Sequence, residues 1–193
     1  MTGPPSHLIQ GGIVVLSGPS GSGKTSICRA LLEDPRVILS VSATTRSPRP
    51  GEKDGVDYHF YSLEAFERLR EQGMLVEWAK VYHNYYGTPK APLLEAMHWS
   101  DRILLLDIDV QGAGQLRRQK IPARFLFVAP PSIEVLRQRL MNRGSDPEEV
   151  IERRLKFAIE EMSQQHLYDH VLVNQDLEAT IAEVRAQLGL DPA

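Results

Sequence analysis

The amino-acid sequence predicts an α/β fold in which helices flank a parallel sheet. Short β-branched runs such as Ile13-Val14-Val15-Leu16 are bounded by glycine and proline, which is typical of strands buried on both faces. Helical patterns alternate with these runs, and such alternation favours parallel strands connected by helices. Further runs of the same type cover residues 37–41, 103–106, 125–128 and 171–173, and an amphipathic helix is predicted at 179–188.

A first interruption of this alternation covers residues from about 42 to 98. It begins with a loop at 46–55 that is rich in proline, glycine and charge, and short strand patterns follow around a helical one. We interpret this stretch as an inserted subdomain of mixed strands. Its predicted strands are residues 58–61, 75–78 and 85–86, and its predicted helix is 63–70.

A second interruption, residues 137–156, is helical and rich in arginine. Gly144 and the Asp146-Pro147 pair predict a break between two helices there. We interpret this segment as a small hinged lid. The sequence therefore predicts a single domain over 1–193, with its core at about 11–41 and 99–193, and residues 1–12 as a loose leader.

Composition limits the possible functions. The 193 residues are 42% hydrophobic and 24% charged, as in ordinary globular domains, and the net charge of −3 provides no basic surface for nucleic acid. No apolar run approaches the roughly 20 residues of a membrane-spanning helix. The single cysteine, Cys28, excludes an intramolecular disulfide and fits a reducing cytoplasm; we expect it to be a small apolar residue on a helix.

The segment Gly18-Pro19-Ser20-Gly21-Ser22-Gly23-Lys24-Thr25 matches the P-loop pattern and lies between a predicted strand and a predicted helix. In such a loop the glycine backbone curves around phosphate oxygens and the helix N-terminus adds its positive dipole end. Lys24 would reach the β and γ phosphates, and Thr25 would offer its hydroxyl to Mg²⁺. The alternative is an ordinary glycine-rich turn. The context predicts a P-loop NTPase-type core that binds a nucleoside triphosphate through residues 18–25.

A predicted strand ends in Asp107, which suits the carboxylate that holds Mg²⁺ beside a P-loop, directly or through water. Many buried strands end in aspartate for other reasons, so Asp107 or Asp109 could instead cap the following helix. The pairing with the P-loop favours the magnesium interpretation, with Thr25 and Asp107 as the protein's metal-site residues.

A second cationic site distinguishes a kinase from a nucleotide switch. The chain contains no Asn-Lys-x-Asp segment, by which common GTP-hydrolysing switches recognise their base. The loop Thr45-Arg46-Ser47-Pro48-Arg49-Pro50-Gly51 instead holds two arginines apart with prolines, and an arginine fork can pair two phosphate oxygens at once. The alternative is a solvated basic loop.

Together these segments resemble the guanylate kinase family over nearly the whole chain and in the family's order. The resemblance implies transfer of the γ-phosphoryl group of ATP to GMP or dGMP with Mg²⁺, giving ADP and GDP or dGDP. It also implies a P-loop core, a GMP-binding insertion and a lid. The segments that carry it are the P-loop, residues 40–52, Asn84-Tyr85-Tyr86-Gly87-Thr88, residues 106–112 and residues 125–132.

The resemblance implies roles for individual residues. From the residues alone, Tyr58 and Tyr86 could equally be packed strand aromatics, and Glu77 an ordinary charge on a strand face. The GMP-binding set that the resemblance implies is Arg46, Arg49, Tyr58 and Tyr86 at the phosphate, and Ser42, Glu77, Thr88 and Asp109 around the guanine.

Arginines of the lid are candidates for closing over the transferring phosphate, as in similar lids. The alternative is a solvated face paired with Glu148, Glu149 and Glu152, which we expect for Arg137. No catalytic base is required, because the acceptor is a phosphate oxygen already ionised at neutral pH. The catalytic candidates are Lys24, Arg46, Arg139, Arg143 and Arg154.

Two other functions fit parts of the sequence. An inactive guanylate-kinase-like module would bind protein partners, but such modules typically have damaged P-loops, whereas Lys24 and Thr25 are present here. A P-loop kinase for another small acceptor differs only at the base-contacting residues. The predicted partners are the small molecules ATP and GMP or dGMP, with no nucleic acid or membrane; the sequence does not decide the oligomeric state.

Overall fold

The computed structural model describes residues 12–81, 83–142 and 147–190. In chain order its strands are β1 (Gly12–Ser17), β2 (Val37–Leu39), β3 (Ala43–Thr44), β4 (His59–Phe60), β5 (Leu75–Val81), β6 (Asn84–Pro89), β7 (Ile103–Asp107), β8 (Ala123–Ala129) and β9 (His170–Val173). The α-helices are α1 (Lys24–Leu31), α2 (Leu63–Glu71), α3 (Lys90–Ala96), α4 (Val110–Arg118), α5 (Ile133–Asn142), α6 (Glu148–Ser163) and α7 (Leu177–Leu188).

The main sheet is parallel, which confirms the predicted fold class. Its strand order is β2-β7-β1-β8-β9, and β1 pairs in parallel with both of its neighbours. Because the carboxyl ends of parallel strands lie at one edge, the chain leaves β1, β7 and β9 on the same side of the sheet. In register, Leu16 of β1 lies opposite Asp107, the last residue of β7.

Apolar side chains fill both faces of this sheet. On one face, α1 and α7 pack residues such as Ile27, Leu31 and Val184 against the strands, and all three are fully buried. On the other face, α3 and α4 contribute Leu93 and Leu116 in the same way. Burying a leucine or valine side chain stabilises the fold by about 1.5–3 kcal/mol relative to exposure, so these faces fix the sheet on which the P-loop is carried.

A second sheet, ordered β4-β3-β6-β5, accounts for the predicted insertion of mixed strands. β3 pairs in parallel with β4, whereas β3 with β6 and β5 with β6 are antiparallel. The two-residue strand β3 was not predicted, and Tyr58 precedes β4 instead of belonging to it. The stretch predicted as insertion also contains α3, whose Leu93 and Ala96 join the cluster around β1. We therefore propose that the inserted subdomain ends with β6.

The arginine-rich segment forms two helices, α5 and α6, that begin before and end after the predicted lid. They share a cluster of buried residues of their own: Leu136, Leu140, Ile151, Leu155 and Ala158. The predicted break at Gly144 and Asp146, and most of the predicted leader, lie outside the described residues. Cys28 lies buried on α1, as expected. Among the described helices, none has the length and apolarity to cross a membrane.

Candidate active site

The P-loop lies between β1 and α1, as predicted. Residues 18–23 form the loop, and Lys24 and Thr25 begin α1. The Lys24 ammonium donates hydrogen bonds to the carbonyl oxygens of Gly18 and Pro19, so it folds back over the loop. The amide of Ser22 donates to the carbonyl of Pro19 at 3.1 Å, which closes the turn. The Lys24 charge is thus held against the backbone of the loop.

Asn174, which follows β9, supports the loop from the other side. Its Nδ2 donates to the carbonyl of Ser22 at 2.7 Å, and its own amide donates to Ala129 O at 2.8 Å. Thr180 Oγ1, on α7, donates to the carbonyl of Asp176 at 2.7 Å and lies 3.3 Å from Asn174 Oδ1. The Asn174 side chain is thereby oriented by α7 and holds the P-loop backbone in place. Sequence reasoning did not identify it, because 152 residues separate it from Ser22.

Substitution of Gly23 is expected to destabilise this part of the fold. Gly23 has φ +103°, where L side chains are strained, and a Cβ built on it would collide with Asn174 Nδ2. Strain and overpacking together predict that Gly23→Ala lowers the free energy of unfolding by about 2–4 kcal/mol. Denaturant unfolding measures this loss. Gly114→Ala on α4, whose Cβ would have no neighbour closer than 3.5 Å, is the matched control and should be at least as stable as wild type, because alanine favours a helix interior over glycine.

Asp107 ends β7 beside the P-loop. Burial raises the pKa of its carboxyl, while the Lys24 charge and a hydrogen bond with Cys28 lower it. Burial and the Asp107 charge raise the pKa of the Cys28 thiol well above its ordinary value, so the thiol stays protonated. Thr25 is exposed at the start of α1. A hydroxyl and a carboxylate are oxygen ligands of the kind that Mg²⁺ prefers, so the donor set fits this ion.

Asp109 caps α4, as the sequence analysis allowed. Its Oδ1 accepts a hydrogen bond from the amide of Gly112 at 2.8 Å. Burial raises the pKa of Asp109, and the hydrogen bonds from Gly112 and Gln111 and the Lys24 charge oppose that shift. Capping fixes the carboxylate at the helix end through Oδ1, while Oδ2 accepts only a long hydrogen bond of 3.4 Å from Gln111 Nε2 and keeps a lone pair for a ligand.

Glu77 of β5 is buried, with 4% of its surface exposed, so it is not an ordinary charge on a solvated strand face. Thr88 Oγ1 donates to Glu77 Oε1 at 2.5 Å across the β5–β6 pair. Burial raises the pKa of Glu77 to about 7; the nearby Asp109 charge adds to the rise and the Thr88 hydrogen bond opposes it. Three of the four predicted guanine residues, Glu77, Thr88 and Asp109, are therefore in one cluster.

Arg46 is surrounded by a carboxylate and aromatic rings. Its guanidinium makes two hydrogen bonds of 2.9 Å to Glu52, and its carbon Cζ lies 5.3 Å from the ring centre of Tyr58. The rings of Tyr58 and Tyr86 meet edge to face at 5.9 Å. Burial raises the pKa of Tyr58 to about 12, and the Asp107 charge contributes to that rise. This cluster thus lies within electrostatic range of the Asp107 carboxylate beside the P-loop.

The remaining predicted residues of the insertion are less enclosed. Arg49 is exposed, and its amide donates to Glu52 Oε2 at 2.6 Å. Ser42 is partly buried and precedes β3, where its carbonyl accepts from the amide of His59 at 2.8 Å. Both lie on the loop segments that flank β3, next to the Arg46 cluster.

Of the lid arginines, Arg139 on α5 is fixed beside the P-loop: its Nη2 donates to Asn174 O at 2.7 Å. Arg137 pairs with Glu152 of α6, as expected. Arg154 is half-buried on α6, and Arg143 lies outside the described residues. A cavity of about 420 Å³ opens between the P-loop and α5, lined by Gly21, Gly23, Ser26, Arg139, Asn142 and residues 174–177.

Glu161 is a second residue that sequence reasoning missed. It lies partly buried near the end of α6. Burial and the Asp109 charge raise the pKa of Glu161 to about 7, and the Lys24 charge opposes the rise. Helical spacing alone could not distinguish it from the exposed acids of the same helix.

Comparison with known proteins identifies the family of this chain. The guanylate kinase family model matches residues 10–189. The chain belongs to the guanylate kinase family. A guanylate kinase from Nitratidesulfovibrio vulgaris is 50% identical over 175 residues, which cover 90% of this chain and 84% of that protein. A guanylate kinase from Paramagnetospirillum magneticum is 47% identical over 184 residues, which cover 94% of this chain and 86% of that protein.

A solved structure supports the same membership. The crystal structure of guanylate kinase from Anaplasma phagocytophilum superposes with a TM-score of 0.76 at 34% identity, covering 94% of this chain and 86% of that chain. The resemblance inferred from the sequence motifs is therefore confirmed. In this chain the P-loop, the Asp107 carboxylate and the Glu77 cluster are all formed by the described residues.

Proposed function

We propose that this chain transfers the γ-phosphoryl group of ATP to GMP or dGMP, giving ADP and GDP or dGDP. The observation that carries the proposal is the Glu77–Thr88–Asp109 cluster. Two carboxylates, one of them 4% exposed, form an acceptor-rich cluster, and Asp109 lies within electrostatic range of the P-loop lysine. A guanine base presents two neighbouring donors, N1–H and the 2-amino group, and would hydrogen-bond these acceptors. An inactive protein-binding module gives no reason for burying these acids.

The GMP phosphate would take its place at the Arg46 cluster. Glu52 now holds the Arg46 fork with two hydrogen bonds, which is the geometry that a phosphate also offers. The raised pKa of Tyr58 keeps its hydroxyl protonated and able to donate. We propose that Arg46, Arg49, Tyr58 and Tyr86 bind this phosphate, and that Ser42 joins the pocket around the guanine.

ATP would bind with its phosphates in the P-loop and its nucleoside toward the cavity beside α5. Thr25 and Asp107 would hold Mg²⁺, directly or through water, and the ion would neutralise phosphate charge when bound. Lys24 would bind the β and γ phosphates of ATP through its ammonium group. The reaction needs no general base in the protein, because the attacking GMP phosphate oxygen is already ionised; the residues position it and stabilise charge.

The lid is proposed to close over both substrates and bring arginines to the transferring group. Arg139 already lies beside the P-loop, and α5 packs against it: a Cβ on Gly21 would lie 2.9 Å from a Leu136 methyl carbon. Arg154 and Arg143 are proposed to complete the cationic surface. Closure would also exclude water that could hydrolyse ATP.

A compaction measurement checks this closure. With a bisubstrate analogue that links the two nucleotides, the radius of gyration from small-angle scattering should decrease, because the lid and the second sheet approach each other. GMP alone and ATP alone serve as the comparison states. An unchanged radius with the analogue bound would contradict a mobile lid.

The raised pKa of Glu77 makes GMP use depend on pH. Only the ionised carboxylate accepts both guanine donors, so the affinity for GMP should fall as pH decreases through about 7. We expect the KM for GMP to rise about tenfold from about pH 8 to about pH 6. Because the GMP phosphate itself titrates near pH 6, Glu77→Gln provides the control. The glutamine variant should lose most of this dependence, and an identical profile in both proteins would contradict the assignment.

The raised pKa of Glu77 also makes the stability of the fold depend on pH. Between the ordinary pKa of 4.5 and about 7, the folded state holds a proton on Glu77 that the unfolded chain releases. The Glu77 contribution to stability therefore decreases as pH rises through this interval.

The proposed activity is tested by coupled ADP release with GMP, dGMP, AMP, UMP and CMP as acceptors. ADP should form rapidly with GMP and with dGMP, and at background rate with the others. Comparable rates with AMP, UMP or CMP would favour a kinase for another acceptor, and no acceptor-dependent ADP would favour a binding module.

ATP, GMP and the reduced Cys28 are all compatible with the cytoplasm, which we propose as the site of action.

A further inference from the structure

Helix α4 lies along the outer edge of β5, the strand that carries Glu77. Among the described strands, β5 is last in its sheet, so this edge has no strand partner. Gln115 replaces one: its Oε1 accepts from the amide of Trp78 at 3.3 Å, and its Nε2 donates to Trp78 O at 2.5 Å. One turn further, Gln119 Nε2 donates to Val76 O at 2.6 Å. The side-chain amides of Gln115 on α4 and of Gln119, which caps the C-terminus of α4, thus hold the backbone on both sides of Glu77.

The first turn of α4 also contacts the Glu77 carboxylate. A Cβ built on Gly112 would lie 2.9 Å from Glu77 Cδ and closer still to Oε2, so only glycine leaves room for the acid. Gly114, two residues further on, has no such neighbour: its Cβ would approach only Arg118 Nη1, at 3.5 Å. The need for glycine is therefore specific to the position that faces Glu77.

We propose that Gly112 and Gln115 are positioning residues for guanine recognition. Gln115 fixes the position of the β5 backbone relative to α4. Gly112 fixes how closely the Glu77 carboxylate approaches the helix. Because Asp109 caps the same helix, α4 sets the separation between the two acids. This inference rests on the proposed function, since it takes Glu77 and Asp109 as the guanine-contacting pair.

A purely structural role for these contacts makes a different prediction. Loosening the attachment of β5 would lower stability and would affect ATP and GMP use alike. Displacing one carboxylate by a fraction of an ångström should instead weaken the contact with guanine while leaving the P-loop unchanged. Sites that hydrogen-bond a substrate group discriminate by that group, so the ratio of GMP to IMP use is the sensitive readout. IMP retains N1–H and O6 but lacks the 2-amino group.

The experiment compares Gly112→Ala and the near-isosteric Gln115→Met with Gly114→Ala. In both test variants we expect the KM for GMP to rise about tenfold and the preference for GMP over IMP to fall, with the KM for ATP and kcat within about twofold of wild type. Gly114→Ala should match wild type in each of these kinetic values. If Gln115→Met does not fold, Gln119→Met, altered at an exposed position that holds the same edge of β5, takes its place.

Two results would overturn the inference. One is an unchanged KM for GMP and an unchanged GMP to IMP ratio in folded test variants. The other is a parallel rise in the KM for ATP, which would indicate a structural role only. A wild-type chain that forms no GDP from GMP would instead refute the proposed function, so the two failures are distinguishable.

Discussion

AMP should be at least about 10⁴-fold poorer than GMP as a phosphoryl acceptor, measured as kcat/KM with ATP as donor. Adenine has an unprotonated N1 and no 2-amino group, so it offers no donor where Glu77 and Asp109 present acceptors. At about pH 8, above its pKa of about 7, the Glu77 carboxylate is ionised and, being 4% exposed, would then face the adenine N1 lone pair with no water to replace the missing donor. Steady-state kinetics with both acceptors measure the ratio.

Substituting Glu77 or Asp109 should lower the use of GMP far more than the affinity for ATP. Glu77→Gln and Asp109→Asn each replace an oxygen acceptor with an amide donor, so kcat/KM for GMP should fall far more than the affinity for ATP, which depends on the P-loop. Glu71→Gln, on the exposed end of α2, is a control expected to retain wild-type kinetics. Comparable use of AMP and GMP by the unmodified chain would mean that the pocket does not recognise guanine.

Lys24→Met should reduce turnover by about 10²-fold or more, which is typical of removing one electrostatic donor from a transition state. The Lys24 ammonium lies over the P-loop, where charge develops on the transferring group, and methionine keeps the length of the side chain without its charge. Circular dichroism verifies the fold of the variant. Lys90→Met, at the exposed start of α3, is the control. Near-normal turnover in Lys24→Met would refute the P-loop assignment.

The features that sequence could predict are those set by neighbouring residues. The P-loop lies within eight consecutive residues between a strand and a helix, and the alternation of buried strands and helices extends along the chain. The position of Asp107 beside the P-loop was predicted because it is the last residue of a buried strand. These patterns predicted the parallel sheet, the mixed insertion and the helical lid.

The features that sequence could not predict depend on contacts between distant segments. Gln115 and Trp78 are 37 residues apart, and neither residue type indicates that an amide will complete a strand edge. The burial of Glu77 follows from the pairing of β5 with β6 and from the missing side chain at Gly112. The two residues of β3 are too few to form a pattern. The hydrogen bonds that hold Asn174 likewise exist only once β9 has joined the sheet.

Transfer of a labelled phosphate tests the central claim most directly. With ATP labelled at the γ position and unlabelled GMP, the label should appear in the β position of GDP, in equal amount to the ADP formed, and little should appear as inorganic phosphate. The label should stay in ATP when AMP replaces GMP. Release of the label as inorganic phosphate without labelled GDP, or equal labelling of ADP made from AMP, would contradict phosphoryl transfer to a guanine nucleotide.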